Sequence, residues 1–419
     1  MSKHRERLSK DLKKAIEEVS KPRIASCDQV VSALLDSLFP FQDSDELWVY
    51  PGNFIETLFK RLIPYWTNYW KTNRKSDPIL PPHLLVVGPS GIGKTSTAYF
   101  MADLLNDTQI ENKVCLSLKV DPKRWITSQD FTRLLASLET HPSGFLNLFF
   151  VDNLFDLFNG TLHVQWEGFI EGVTDILGFM PIFIGFIDVG QYNLLKRINP
   201  SSLKYFAEPP IFFSPFPLDM IYTLLDNKLN TLEKQVELLP IAKPARKKIA
   251  SYSLGVPYLA FKLTAQCEEV AYNFDYKRIS IDLVKEIAAY QGFELAHSLL
   301  IDNLPPNSPF LDPSLQKPVE DLKITSKRKH FLQDFLLFSL SETSYVTSSG
   351  FAEFFDKNLP SVLYHFKDLT KQQVLLSERS QQDARKVNYK LQKPLITALE
   401  ILWMEEVKQD LLILSNRGD

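Results

Sequence analysis

Cysteine is scarce: Cys27, Cys115 and Cys267 are the only three in 419 residues, and they are far apart. An odd, scattered trio makes neither a disulfide framework nor the close ligand pairs of a zinc site, so a reducing, intracellular setting is expected. Long apolar runs are missing too, none approaching the roughly 18 residues a membrane-spanning helix needs. The opening MSKHRERLSKDLKKAIEEVS is charged throughout and has no leader-like apolar stretch. A cytoplasmic, nucleoid or nuclear location without a membrane partner is therefore expected. Charge of one sign is also lacking, since the formal net charge is -3. Any contact with nucleic acid must then come from a local basic surface. No internal repeat or low-complexity tract occurs, which removes solenoid and compositional-disorder readings.

What is present is the balance of a soluble globular protein, 45% hydrophobic and 23% charged, rich in Phe (30) and Pro (26). The length calls for two or three domains, each commonly roughly 100 to 200 residues. Residues 1–45 read as a helical extension, with Leu8, Leu12, Ile16 and Val19 at helical spacing. Eight basic against four acidic residues through Arg23 make it a solvated helix with one docking seam. WVYPGNFIETLFKRLIPYWTNYW then gives a strand-like piece, a Pro-Gly turn and an amphipathic helix.

From residue 83 the pattern alternates apolar strands with helices: HLLVVG, KVCLSLKV, LNLFFVD and PIFIGFID each lead into a helical stretch or turn. That alternation predicts a parallel sheet covered on both faces, with ligands at the strand ends. The core is placed at 46–215. Helices dominate 216–303, read as a small lid domain, and five of the 26 prolines fall in NLPPNSPFLDPSLQKPVE, a linker at 304–322. The remainder, 323–419, forms a last domain.

GPSGIGKT matches G-x-x-x-x-G-K-[ST] and sits between an apolar strand and a helix, the context such a phosphate loop requires. Gly88, Pro89, Ser90, Gly91, Ile92, Gly93, Lys94, Thr95 and Ser96 are the predicted nucleotide-binding residues. Glycines let backbone N–H groups curl around phosphates, Lys94 brings a point charge, and Thr95 ligates magnesium at a helix N-terminus. Asp152, ending the run LNLFFVD, is the predicted second metal-holding residue. Asn153 follows where a water-activating acid is often found. An amide orients water but cannot take its proton, so binding should persist while turnover falls.

A phosphate loop, an Asp-ended strand, a further strand ending in Asp188 and a helical lid together resemble the AAA+ ATPases. The order is similar to the branch containing origin-recognition and replication-initiator ATPases. The resemblance implies an α/β fold: a P-loop parallel-sheet AAA+ core, a helical lid and a C-terminal winged helix-turn-helix. It also implies ATP with Mg2+ between core and lid, Tyr50, Pro51 and Gly52 beside the base, and Asp188 as sensor of the terminal phosphate. Adenine follows mainly from this likeness, although no guanine-type N-K-x-D run occurs. Subunits would assemble as homo- or hetero-oligomers, each completing its neighbour's site, with Lys204 or Arg197 as the Arg-like candidate. The chain departs from the family at Asn153 and at Pro257 and Tyr258, where an Arg often reaches the phosphates; each departure weakens hydrolysis rather than binding.

Residues 326–391 read as helix, short helix, helix and hairpin, a winged helix-turn-helix related to DNA-reading modules. Val362, Leu363, Phe366 and Leu369 are expected to face its core. Ser361, Tyr364, His365, Lys367 and Lys371 are placed toward a DNA groove, with Arg379, Arg385 and Lys386 along the wing to meet phosphates. Residues 323–391 hold eleven Lys or Arg against seven Asp or Glu. The sequence thus reads as an ATP- and magnesium-binding switch that hydrolyses slowly and engages double-stranded DNA. The alternative is a nucleotide-binding regulator or adaptor, of the transposition, signalling or defence kind, whose winged helix docks protein.

Overall fold

The computed structural model describes residues 83–415 apart from 106–108, 111–112, 125–127, 140–145, 160–164, 178–180, 208, 233–237, 306, 313–325, 342–345 and 380–386. The N-terminal extension, Tyr50, Pro51 and Gly52 lie outside the described residues.

A six-stranded sheet forms the first unit's centre: β1 (Leu84–Gly88), β2 (Gln109–Ile110), β3 (Lys113–Val120), β4 (Leu146–Val151), β5 (Ile182–Asp188) and β6 (Ile211–Phe212), in the order β2-β3-β4-β5-β1-β6. All pairings are parallel except β2 with β3. The strands read as continuous apolar runs because both faces are covered; Leu148, Phe149, Phe150 and Val151 are all buried. Helices α1 (Lys94–Leu105), α2 (Ser128–Glu139), α3 (Trp166–Leu177) and α4 (Val189–Ile198) connect them. His83 precedes β1 among aromatic rings, its Nδ1 accepting from the Phe183 N–H at 3.4 Å. Burial pushes it down to about 4, so it is neutral.

The order has one consequence for chemistry. β5 lies between the phosphate-loop strand and β4, and Gly88 pairs with Asp188 in register. The residue opening the loop and the acid closing β5 are thus side by side at the carboxyl edge of the sheet, where open α/β sheets bind ligands.

The second unit is helical and is built on α5 (Leu218–Leu232), α6 (Lys243–Tyr252), α7 (Pro257–Asn273) and α8 (Ile281–Tyr290); the boundary between units falls within α9 (Phe293–Asn303). Pro257 begins α7, where proline's missing N–H costs nothing and its fixed φ suits a helix start.

The C-terminal elements are α10 (Ser326–Ser341), α11 (Ser348–Phe354), α12 (Leu359–Lys371), the antiparallel strands β7 (Leu375–Arg379) and β8 (Val387–Leu391), and α13 (Lys393–Ser415). Val346 bridges to Tyr389, adding a one-residue third strand. Asn358 caps α12 by accepting from the Ser361 N–H, with Pro360 in the first turn. Phe331, Phe335, Phe351 and Phe366 pack ring against ring inside this layer.

These C-terminal helices belong to the same compact unit as the sheet. Leu337 of α10 and Met404 and Val407 of α13 share one buried cluster with Val87, Ile187 and Val189. Each fully buried aliphatic side chain of this kind contributes about 1.5–3 kcal/mol, so the seam is a core rather than a loose contact. Gly190 permits the approach: a Cβ there would stand 2.8 Å from Leu340 Cδ1 and 3.4 Å from Glu400 Oε1.

Candidate functional site

The loop Gly88–Gly93 joins β1 to α1 and is closed by a bond from the Ile92 N–H to the Pro89 carbonyl, 3.3 Å. Gly91 at φ 84° and Gly93 at φ 105° adopt conformations that side chains rarely tolerate. That is why the spacing of glycines in this motif is legible as geometry. Thr97 N–H bonds back to the Gly93 carbonyl and begins the helical ladder. Thr95 is exposed and Ser96 half-buried at the helix N-terminus, where anions are favoured.

Lys94 is 9% exposed and is held by three oxygens: the carbonyls of Gly88 (2.9 Å) and Pro89 (2.8 Å), and Asp188 Oδ1 at 2.6 Å. The β1–β5 register supplies this ion pair. Asp188 also begins α4, where its N–H donates to Gln191 Oε1 at 3.2 Å. Lys94 and Asp188, singled out separately in the sequence, are thus brought together.

Asp152 is buried at the end of β4, its N–H bonded to the Val120 carbonyl at 2.8 Å. Asp121 and Asp156 lie close by. The Asp156 carboxyl is raised by burial, with Lys123 opposing, and Asp121 and Asp152 pushing it further up. Among the described residues no group of three His, Cys, Asp or Glu is arranged to hold a metal. A hydroxyl at Thr95 and a carboxylate at Asp152 are hard oxygen donors that suit magnesium, which takes few protein ligands and keeps waters and phosphate oxygens. The residues present fit that ion as a companion of nucleotide rather than as a resident.

Asn153 stands at φ 50°, ψ 40°, and its Nδ2 donates to Asp121 Oδ1 at 2.9 Å. Asn tolerates this left-handed conformation better than most residues. Its side chain ties the end of β4 to the end of β3.

Sequence reasoning missed two contributors, both on α13. Glu400 is buried, and its Oε2 accepts from the Ser90 N–H of the phosphate loop at 2.8 Å. Its Oε1 takes the Gly190 N–H of α4 at 3.4 Å, and Lys393 Nζ donates to Ser90 Oγ at 2.7 Å. Glu400 is raised to about 7, first by burial and then by the Asp188 charge, against the opposing pull of Lys393, the Ser90 bond and Lys94. The signal available in the sequence was one acid inside the apolar run ITALEILWM.

On α12, Val362, Phe366 and Leu369 are buried, whereas Leu363 is half-buried. Ser361, Tyr364, Lys367 and Lys371 are exposed, and Arg379 is exposed at the end of β7. His365 is half-buried with its ring 5.0 Å from that of Phe331, so it packs inward. Arg385 and Lys386 lie outside the described residues. Arg197 is exposed, its guanidinium 4.8 Å over the Phe355 ring and 3.8 Å from Asp334 at the rim of the seam between α4 and the C-terminal helices; Lys204 is exposed too. Among the described residues no helix is long and apolar enough to cross a membrane.

No family model matches the chain and no curated protein matches it. Among solved structures it is similar to the Thermotoga maritima RuvB Holliday junction branch migration motor, at 13% identity over 88% of this chain and 95% of that one, TM-score 0.38. It is similar to the Aeropyrum pernix ORC1 protein in complex with DNA, at 12% identity over 91% and 98%, TM-score 0.41. The Aeropyrum pernix ORC2 protein, in ADPNP-ADP complexes, aligns at 12% identity over 87% and 98%, TM-score 0.39. At such identities and TM-scores the likeness carries no weight beyond the chain's own geometry, which is that of an α/β P-loop core with helical additions.

Proposed function

We propose that this chain is an AAA+-type nucleotide switch. It binds ATP with magnesium at Gly88–Ser96, cleaves it slowly, and engages double-stranded DNA through α10–α12 and the β7–β8 hairpin, read as a winged helix. The observation that carries the nucleotide site is the Lys94 ammonium, anchored on the loop's own carbonyls and on Asp188 of the neighbouring strand. A lysine so placed can transfer from Asp188 to a terminal phosphate without moving its backbone.

In this reading the loop N–H groups and the start of α1 take the phosphates, and Thr95 and Asp152 hold magnesium directly or through water. Magnesium, when bound with nucleotide, neutralises charge on the terminal phosphates. Asp188 and the Asn153 amide are polar groups at the strand ends that could order a water, while the Asn153 amide cannot take its proton and Asp121 is engaged by Asn153. Slow turnover follows. Oligomerisation through the core and a DNA-associated or cytoplasmic location belong to the same proposal.

Titration of the full chain with ATP and magnesium tests it. Lys94→Ala is expected to abolish saturable binding, and retained affinity would sink the site assignment. ATP turnover with and without duplex DNA tests the coupling. One observation favours the second reading, a regulator whose C-terminal layer docks protein: Tyr364, 69% exposed, lies between Ser361 and Lys367 on the outward face of α12, and exposed tyrosines are frequent at protein interfaces.

A further inference from the structure

Glu400 is a carboxylate buried against a phosphate loop. Such a loop is built to bind anions: its N–H groups and the following helix start favour negative charge. Here one of those N–H groups, that of Ser90, already holds the Glu400 Oε2 at 2.8 Å. The other oxygen faces the Gly190 N–H in the first turn of α4, a second anion-favouring helix start, at 3.4 Å. Lys393, seven residues earlier on α13, holds the Ser90 hydroxyl from the same side. Asp188 and Lys94 are near enough to act on the Glu400 charge. The cluster Leu337, Met404 and Val407 seats α10 and α13 on β1, β5 and α4 in this position.

We propose that Glu400 couples occupancy of the phosphate loop to docking of the C-terminal helices. Its carboxylate stands where a phosphate oxygen would, so that nucleotide binding expels it and loosens α13. The inference rests on the nucleotide-binding reading of Gly88–Ser96. The reason for expulsion is charge and hydrogen bonding together. A triphosphate brings several negative charges to a buried site that already contains Asp188 and Glu400, with Lys94 and Lys393 as the cations at hand. It also competes for the Ser90 N–H. A carboxylate left buried and unpaired beside phosphate is costly, and the two sides of the seam separate instead.

The test uses the full chain. Hydrogen exchange of residues 393–411 is measured with and without ATP and magnesium, alongside nucleotide affinity of wild type, Glu400→Gln and Lys94→Ala. Gln keeps the shape and one acceptor but removes the charge. Expected results are faster exchange in α13 when wild type binds nucleotide, no such increase in Glu400→Gln, and about tenfold tighter nucleotide binding by that variant. Tenfold corresponds to about 1.4 kcal/mol. Unchanged exchange of α13 in nucleotide-bound wild type would overturn the coupling even if the variant misfolds, as would an unchanged or weaker affinity of Glu400→Gln. If binding is Lys94-dependent but indifferent to Glu400, only the coupling falls. If wild type binds no nucleotide, the site reading fails and takes the coupling with it.

Discussion

Asn153 illustrates how one residue supports two explanations that only geometry separates. As a letter it is a missing acid; in place it is a left-handed corner whose amide bonds Asp121 at 2.9 Å. Glu at that corner would adopt a conformation costing roughly 1–2 kcal/mol. It would also exchange a donor for a second carboxylate beside Asp121. Asn153→Glu is therefore expected to lower stability by about 2.5–5 kcal/mol, the conformational cost plus the broken hydrogen bond to a charged partner, and to leave ATP turnover no higher. Thermal denaturation and a phosphate-release assay check this together. A variant as stable as wild type with faster turnover would show that the amide alone limits hydrolysis. The position was legible in the sequence because apolar runs ending in a polar pair mark strand ends. The φ angle was not, since nothing local to Asn153 encodes the partner beyond β3.

At the level of elements, the exposed cations of the C-terminal layer include Lys367 and Lys371 on α12 and Arg379 at the end of β7. Lys367 and Lys371 are four apart, hence on one helix face. Arg328 is committed to Asp368 at 2.8 Å, and Lys357 to Asp334 at 2.6 Å, so these two add little to that surface. If the layer meets DNA phosphates, replacing Lys367, Lys371 and Arg379 together by Gln should weaken binding uniformly across sequences. The slope of log K against log salt should fall in magnitude by about 0.9 for each phosphate that is no longer neutralised. Filter binding or fluorescence anisotropy at several salt concentrations measures both. Unaltered affinity and slope would transfer this face to protein docking.

The elements themselves were legible because apolar periodicity, Gly-rich turns and helix starts such as Asn358-Leu-Pro are short-range signals. The sequence singled out Lys94 by its motif and Asp188 through the family resemblance. Their pairing depends on β5 inserting beside β1, a matter of strand order that no local window contains. Glu400 was hidden for the same reason on a larger scale, at a sequence separation of 310 from Ser90. Arg197, which the family resemblance offers as a candidate to reach a neighbouring subunit, is exposed and holds its guanidinium 4.8 Å over the Phe355 ring, a contact within the chain that no local window encodes.

For the molecule as a whole, the C-terminal seam makes stability depend on pH through a few buried groups. Glu400 is raised to about 7 from an ordinary value of 4.5. A carboxyl raised in the folded state binds its proton more tightly there than in the unfolded chain. Its contribution is fully present below about 4.5 and is lost as pH rises through about 7. The groups that set this are Asp188 across the seam, Lys393 on the same helix, Lys94 and the Ser90 N–H. His83 and His297 act in the opposite sense. Both are pushed down to about 4 by burial, so their contribution is present above 6.5 and lost as pH falls toward 4. Wild type alone would mix these effects, whereas a comparison with Glu400→Gln isolates one. Gln imitates the protonated acid at every pH. The variant should therefore gain stability over wild type as pH rises from 5 to 8, by roughly 3 kcal/mol at one pH unit per 1.36 kcal/mol, with no further gain above that range. Urea denaturation of both proteins at pH 5, 6, 7 and 8 reads the difference directly. A stability difference that stays flat from pH 5 to 8 would mean that the Glu400 carboxyl is not held in the seam as an ionisable group. The same protonation that steadies the seam removes the like charge facing an incoming phosphate, so nucleotide affinity should rise, and its loosening of α13 should fade, toward the acid end of the same series.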